Sequence, residues 1–317
     1  MKITVLDGYA LNPGDLSWEN FEKLGELTVY ERTSPEEVLE RSKGSEVLLT
    51  NKTVLNADTI SKLPDLKYIG VLATGYNVVD IESAKKRGII VTNIPSYSTM
   101  SVAQRVFALL LAVTDSPEHY ALANREGAWA ASKDFCWQDT QLIELAGKKF
   151  GIVGYGNIGK AVARIAMAFG MQVLLKTSKH QSELPEGITK VDSETLFRES
   201  DVISLHCPLT PDTNHLINTD TIGIMKTGVI LINTGRGPLV DEAAVAEGLK
   251  TGKIRAFCGD VLSTEPPSAD NPLLNAPRSY ITPHTAWATL EARNRLMDMA
   301  VANLSSFMEG HPINVVS

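Results

Sequence analysis

The stretch Lys149–Gly170, KFGIVGYGNIGKAVARIAMAFG, decides how the rest of the chain is interpreted. A short apolar run ending at Val153 predicts a strand, and the amphipathic pattern that follows the glycines predicts a helix. A GxGxxG motif between a strand and a helix is typical of a dinucleotide site, because it combines a tight turn, close backbone approach and free helix N–H groups. The residues predicted to hold the pyrophosphate are Gly154, Gly156, Asn157, Ile158 and Gly159.

Short β-rich runs alternate with helical patterns on both sides of this motif, which predicts two parallel α/β sheets. The strands predicted before it are Lys2–Leu6, Leu27–Tyr30, Glu46–Leu49, Tyr68–Val71 and Ile89–Val91. Those predicted from it onward are Lys149–Val153, Gln172–Leu175, Asp201–His206, Gly228–Asn233, Ala256–Asp260 and Tyr280–Thr282. An apolar helix over Ser101–Val113 and an irregular stretch over Asp115–Leu142 connect the two sheets. The pattern leaves open which sheet holds the last helix, near Ala288–Phe307.

Composition favours a small-molecule partner. The net charge of -7 disfavours nucleic acid and anionic membrane surfaces. The three cysteines form no CxxC pair, which is typical of a reducing compartment and predicts no structural metal site. Asp7 interrupts the apolar run Ile3–Leu6, so no signal peptide is predicted, and we expect a cytoplasmic protein.

The strand after the glycine motif ends without an acidic residue. Many NAD sites place a carboxylate there to bind the adenosine ribose, and it would repel a 2′-phosphate. Here the corresponding residues are Thr177, Ser178 and Lys179, which can pair with a 2′-phosphate. NADP is therefore slightly favoured over NAD, although binding of NAD without a carboxylate stays open.

Three polar residues follow later strands, where ligands of such sheets bind. Arg236 lies between two glycines and can grip a carboxylate or carbonyl oxygen through its planar fork. His284 can pass a proton to a carbonyl oxygen, and Glu265 can orient its imidazole. Each residue alone is more often structural, but all three after one dinucleotide motif favour catalysis.

These residues and their order resemble the Arg, Glu and His of the D-isomer-specific 2-hydroxyacid dehydrogenase family. The similarity extends over nearly the whole chain and includes Val202–Thr210, Asn233–Asp241 and Thr282–His284. The resemblance implies hydride transfer between NAD(P)H and a small 2-oxo or D-2-hydroxy acid. The residues around Asp7–Tyr9, Asn12–Asp15 and Thr50–Thr53 are similar to the glycerate dehydrogenase or hydroxypyruvate reductase branch, with glyoxylate as a further possible substrate.

The resemblance also implies two Rossmann-like, doubly wound domains with a cleft between them. The substrate domain would comprise residues 1–98 plus 287–317, and the dinucleotide-binding domain would comprise residues 99–286. A dimerisation arm is expected near 101–146, in a homodimer. Neither nucleic acid nor a membrane is expected as a partner.

The family pattern assigns further residues to ligands. The nicotinamide is expected near Thr234, Arg236 and Asp260, and the substrate carboxylate near the amides of Thr74 and Gly75. Other cofactor contacts are expected from His206, Pro208, Thr213, Gly235 and Ala286. Asn51 and Lys52, together with Arg236 and His284, are expected to contact the substrate.

The chain departs from the family pattern at three positions. Asn77 and Gln104 replace acidic residues that many members have, which leaves the expected reaction type unchanged. Thr177 replaces the usual Asp, which leaves the choice of cofactor open.

Two alternatives compete with this interpretation. The same fold serves dinucleotide-sensing corepressors, but that role does not explain Arg236, Glu265 and His284 together. Formate dehydrogenases are similar in fold but have Gln at the position of Glu265.

Overall fold

The computed structural model describes all residues from Met1 to Ser317 as two compact units. The first unit comprises Met1–Ser98 and Ala288–Ser317, and the second comprises Thr99–Trp287. The strands are β1 (Lys2–Val5), β2 (Glu26–Val29), β3 (Val47–Thr50), β4 (Tyr68–Val71), β5 (Ile90–Thr92), β6 (Lys149–Val153), β7 (Gln172–Lys176), β8 (Ile188–Lys190), β9 (Val202–Leu205), β10 (Val229–Asn233), β11 (Ile254–Gly259) and β12 (Ser279–Ile281). The helices are α1 (Glu19–Glu22), α2 (Val38–Ser42), α3 (Ala57–Ser61), α4 (Ile81–Lys86), α5 (Thr99–Thr114), α6 (Pro117–Arg125), α7 (Asn157–Ala168), α8 (Ser193–Glu199), α9 (Thr219–Ile224), α10 (Glu242–Thr251) and α11 (Leu290–Met308).

The first unit is a five-stranded parallel sheet in the order β2-β1-β3-β4-β5. Strands β3 and β4 are buried along their whole length, as expected for parallel strands covered on both faces. The helix α11 belongs to this unit, and its Phe307 ring lies 4.8 Å from the ring of Tyr68 on β4. The question that the sequence left open about the last helix is thereby answered.

The second unit is a seven-stranded parallel sheet in the order β12-β11-β10-β9-β6-β7-β8. The chain winds outward from β6 to β8 in one direction and from β9 to β12 in the other. The strand order therefore reverses between β6 and β9, and in such sheets this point opens a crevice beyond the carboxyl ends of the strands. The predicted class, two parallel α/β sheets, is confirmed.

The sheet of the second unit separates two apolar cores, because side chains alternate between its faces. Ile152 of β6 and Ile232 of β10 pack with α5 and α7 on one face. On the other face, Ile203 of β9 and Leu231 of β10 pack with α8, α9 and α10. Because helices cover both faces of the sheet, a ligand can reach the polar groups of the sheet only at the strand ends.

Two elements were missed by the sequence patterns. Residues Asp115–Leu142 were predicted to be irregular, but α6 occupies Pro117–Arg125. This helix buries none of its residues, and among its nine residues only Tyr120 and Leu122 are large apolar or aromatic residues, too few for the pattern from which helices are recognised. The short edge strand β8 has only three residues. None of the helices combines the length and the apolar character that crossing a lipid bilayer requires.

Candidate active site

The glycine motif forms a tight turn between β6 and α7. Gly154 has a φ of 100°, and a Cβ placed on it would lie 2.6 Å from the backbone of His206. A Cβ on Gly159 would lie 2.2 Å from the carbonyl oxygen of Gly154, so neither position accepts a larger residue. In contrast, a Cβ on Gly156 would meet no atom within 4 Å. The turn is thus tightly packed at Gly154 and Gly159 and open at Gly156.

The helix α7 begins at Asn157 with Gly156 as its N-cap. No side chain caps this end, and the first turn contains no acidic residue, so its N–H groups and positive dipole face the open side of the turn. Ile158, in the same turn, packs against the apolar core. This arrangement fits the pyrophosphate of a dinucleotide.

The predicted ribose-binding residues lie directly after β7. The Lys179 amide donates to the Thr177 hydroxyl over 3.3 Å, which folds the segment into a turn around the exposed Ser178. The Lys179 ammonium lies 3.7 Å from the carboxylate of Glu183. The Lys179 cation therefore lies within the predicted ribose-binding segment, but the Glu183 carboxylate from the following turn lies close to it.

The loop after β9 holds three of the predicted cofactor residues. The His206 imidazole lies 2.8 Å from the hydroxyl of Ser204, and burial lowers the pKa of His206 to about 4, so the ring is neutral at pH 7. The Thr213 hydroxyl donates to the carbonyl of Pro208 over 2.7 Å and holds the loop closed. Together these bonds fix the strand end that lies against Gly154.

After β10, the Thr234 hydroxyl is buried and has no hydrogen-bond partner in the chain. Such groups are rare in folded proteins, because an unpaired buried hydroxyl costs free energy. The neighbouring Gly235 amide donates to the Asn233 side chain, whose amide group in turn donates to the Arg236 carbonyl. The unpaired Thr234 hydroxyl is thus compatible with a contact to a bound cofactor, which stays a prediction.

Arg236 is exposed, and one guanidinium nitrogen donates to the carbonyl of Gly235 over 2.8 Å. The next residue, Gly237, is buried, and a Cβ on it would lie 2.0 Å from the backbone of Leu262. The loop that holds Arg236 therefore packs directly on the loop that follows β11. From the sequence, Gly237 was only one of the two glycines beside Arg236, since a long-range contact leaves no local signal.

The structure brings Glu265 and His284 together. Oε2 of Glu265 lies 2.6 Å from Nδ1 of His284, and Oε1 accepts a hydrogen bond from the Leu262 amide. Both side chains are about one-third exposed, at 34% and 29%. With Nδ1 bound, the second ring nitrogen, Nε2, is the one left to face a substrate.

Asp260 holds the loop on which His284 lies. Its carboxylate is almost fully buried and accepts hydrogen bonds from the Thr282 hydroxyl and from the amides of Thr285 and Ala286. The His284 amide donates to the Asp260 carbonyl, and His284 adopts a left-handed φ of 53°. The sequence interpretation expected Asp260 near the nicotinamide, whereas its carboxylate oxygens bind this loop.

Ala286 is buried, and its carbonyl accepts a hydrogen bond from Ser101 at the start of α5. The loop after β12 is therefore held at both ends, by Asp260 and by α5. No sequence motif marks these contacts, because the partners are far apart along the chain.

The expected substrate residues of the first unit follow β3 and β4. The amides of Asn51, Lys52 and Thr53 donate to the Asp7 carboxylate over 2.6–2.7 Å. The Asn51 side chain is buried and donates to the Leu72 carbonyl, so it does not present its amide group to a ligand. Lys52 is exposed.

The turn after β4 is more accessible. The Thr74 hydroxyl donates to the Ile94 carbonyl, and Asn93 donates to the Thr74 carbonyl, which holds the turn from the side. No hydrogen bond of this unit uses the amide N–H groups of Thr74 and Gly75. These two amides therefore remain available for an anion.

Comparison with known proteins agrees with this geometry. Residues 107–286 match the family model described as the NAD-binding domain of D-isomer-specific 2-hydroxyacid dehydrogenases. The chain is 49% identical to a hydroxypyruvate reductase of Blautia hydrogenotrophica, over all of both chains. It is 43% identical to a glycerate dehydrogenase of Methylorubrum extorquens, over 99% of this chain and 98% of the relative.

Among solved structures, an acyclic imino acid reductase in complex with NADPH and D-Arg matches all of both chains with a TM-score of 0.85 and 33% identity. The family match, the full-length relatives and the open glycine turn all indicate a nicotinamide dinucleotide as the cofactor. The chain is therefore an NAD(P)-dependent oxidoreductase that belongs to the D-isomer-specific 2-hydroxyacid dehydrogenase family.

Proposed function

We propose that this enzyme interconverts hydroxypyruvate and D-glycerate, with glyoxylate as a second substrate. The observation that supports this most directly is the Glu265–His284 pair, which holds an acid–base group at the same strand edge as the glycine turn. Relatives named for hydroxypyruvate and glycerate resemble the chain over its full length, and glyoxylate reductases resemble it over most of its length.

In this proposal, His284 donates a proton to the ketone oxygen of the 2-oxo acid. A reduced nicotinamide dinucleotide held at the glycine turn of Gly154–Gly159 would supply the hydride for C2, so that the ketone is reduced to the hydroxyl. Glu265 fixes the orientation of the imidazole through Nδ1, which leaves Nε2 for the substrate. In the reverse direction His284 accepts the hydroxyl proton.

Arg236 is proposed to bind the substrate carboxylate and to polarise the carbonyl. Its guanidinium has five donors, and the fold occupies one of them, on Gly235. In the first unit we assign the free amides of Thr74 and Gly75 to the substrate carboxylate, and the exposed Lys52 to charge neutralisation. The side chain of Asn51 is assigned a structural role.

For the cofactor, the proposal is that both forms bind and that NADP is slightly favoured. The absence of a carboxylate at Thr177 removes the main repulsion of a 2′-phosphate, and Lys179 supplies a cation. Glu183 opposes this effect because it lies 3.7 Å from that cation. The preference is therefore expected to be small.

We propose that the region near 101–146 forms a homodimer, chiefly through its exposed segment Asp115–Glu144, which we call the arm. None of its residues is buried, although it contains α6 and the aromatic residues Trp129 and Phe135, which are 55% and 91% exposed. Exposed apolar groups in one segment favour association with another chain.

In this proposal the first unit is the substrate domain and the second is the dinucleotide-binding domain. The cytoplasm is the proposed compartment, since all three cysteines are free.

The test is a spectrophotometric assay that follows NADH and NADPH separately with hydroxypyruvate, glyoxylate and pyruvate. We expect the highest kcat/KM with hydroxypyruvate. The variant His284→Ala should lower kcat by about 10²- to 10⁴-fold, the usual contribution of a positioned acid. It should keep its affinity for the cofactor, measured by fluorescence titration.

The matched control is His311→Ala, which changes an exposed histidine near the carboxyl end of the chain and should leave turnover unchanged. Failure of wild-type enzyme to oxidise either cofactor with any of the three acids would instead favour a dinucleotide-sensing binding protein. Near-normal turnover of His284→Ala would remove this residue from the mechanism.

A further inference from the structure

A second pocket lies in the dinucleotide-binding unit, away from the site described above. It has a volume of about 280 Å³, and its polar lining comprises Ser116, Thr140, Gln141, Arg255, Arg278 and Tyr280. A pocket of this size is too small for a dinucleotide but large enough for a small anion.

Two arginines face this pocket without a carboxylate partner. Arg255 donates from its two terminal nitrogens to the Gln141 side chain and carbonyl, over 3.1 and 3.2 Å. Arg278 donates from one nitrogen to the Leu249 carbonyl over 2.9 Å. All of these acceptors are uncharged, and neither arginine forms an ion pair. Each guanidinium also retains donors that the fold does not use.

The position of the pocket separates it from the cofactor site. Arg255 is the second residue of β11 and Arg278 directly precedes β12, so both lie at the amino ends of the strands. Asp260 follows the carboxyl end of β11. At a rise of about 3.3 Å per residue, this places Arg255 roughly 16 Å from the opposite edge, where the active-site loops lie.

The pocket also joins the sheet to the arm. Ser116, Thr140 and Gln141 come from the two ends of the arm, and the two arginines come from the sheet. The backbone is left-handed at Ser116, with a φ of 50°, and at Arg278, with a φ of 56°. Such conformations are unfavourable for these residue types and persist where their surroundings hold them.

From these observations we propose that the pocket binds a phosphate group, either as free phosphate or as a small phosphate monoester, and that the bound anion connects the arm to the sheet. A guanidinium matches the geometry of phosphate oxygens, and two guanidiniums balance the charge of nearly -2 that a monoester has at neutral pH. The hydroxyls of Ser116 and Tyr280 can donate to the remaining oxygens. The active site is not involved, so this proposal does not depend on the proposed reaction, although it shares the arm with the proposed homodimer.

The experiment measures phosphate binding by calorimetry and by thermal unfolding, on enzyme saturated with NADPH so that the pyrophosphate site is filled. Inorganic phosphate and glycerol 3-phosphate are titrated in parallel. The variants Arg255→Gln and Arg278→Gln should each weaken binding by about 10-fold or more, because each removes a charge-assisted contact. The control is Arg198→Gln, an exposed arginine of α8 that is paired with Glu194.

Saturable binding that weakens in both pocket variants and persists in Arg198→Gln supports the proposal. Tighter binding of glycerol 3-phosphate than of inorganic phosphate would assign the pocket to phosphorylated metabolites, and equal binding would assign it to free phosphate. Turnover without phosphate and circular dichroism should be unchanged in each variant. The absence of saturable binding to wild-type enzyme, or full binding by the double variant, overturns the proposal.

Discussion

The Glu265 carboxylate accepts from the Leu262 amide through one oxygen and lies 2.6 Å from the His284 imidazole through the other. Glu265→Gln keeps the shape of this side chain but removes its charge. The imidazole loses the charged partner that fixes its orientation, so we expect kcat for ketone reduction to fall by about 10- to 100-fold. The Kd for NADPH, measured by fluorescence titration, should stay unchanged. A kcat equal to that of the wild type would contradict this role.

The Asp260 carboxylate should position His284 rather than bind the cofactor. Asp260→Asn replaces an acceptor by a donor that faces the donors of Thr282, Thr285 and Ala286. We expect a loss of about 1–3 kcal/mol in the free energy of unfolding and a fall in kcat, with little change in the Kd for NADPH. Thermal unfolding, turnover and fluorescence titration measure the three quantities. A large loss of cofactor affinity alone would instead place Asp260 on the nicotinamide.

The contribution of Arg236 to activity should depend on the shape of its side chain as well as on its charge. Arg236→Lys retains the cation but loses the planar fork. We expect KM for hydroxypyruvate to rise and kcat to fall together, because in our proposal the fork contacts the substrate both before and during the reaction. Arg198→Lys provides the control on the protein surface. Kinetics unchanged from wild type would make Arg236 a turn residue.

The residue at position 177 should set the ratio between the two cofactors. In Thr177→Asp, the new carboxylate would face the 2′-phosphate, and like charges about 4 Å apart repel by on the order of 4 kcal/mol at an effective dielectric of 20. Screening by water reduces this value. We expect kcat/KM for NADPH to fall by about 10- to 100-fold while NADH holds or improves. An unchanged ratio would show that this segment does not contact the ribose.

His206 should make the fold sensitive to acid. Its pKa is lowered by burial from 6.5 to about 4 in the folded protein, whereas the unfolded chain has the ordinary value. Between these two values the unfolded state binds more protons, so His206 contributes stability that is complete above pH 6.5 and is lost as the pH falls toward 4. His206→Gln should flatten this part of the stability profile, measured by denaturant unfolding. An identical pH slope in the variant would contradict the assignment.

Local patterns were sufficient to predict the two sheets and the glycine turn. The turn at Gly154 was predictable because the strand, the glycines and the helix are contiguous in the sequence. Its packing against the His206 backbone requires no special residue at position 206. The helix α6 was missed because none of its residues is buried and large apolar residues are few in its sequence.

Contacts between distant residues could not be predicted in the same way. The role of Asp260 depends on bonds to residues that follow the next strand, and that of Gly237 depends on the backbone of Leu262. Both are close contacts between residues that are about 25 positions apart in the sequence. A strand end marks where such residues lie but does not specify what they bind.

The left-handed backbone at His284 determines which replacements leave the loop undisturbed. Asparagine adopts this conformation more readily than most residues, whereas a branched side chain would force the loop to rearrange. His284→Asn therefore removes the acid while leaving the backbone in place. We expect such an enzyme to turn over slowly, which would allow a crystal to trap the oxo acid and the reduced cofactor before they react.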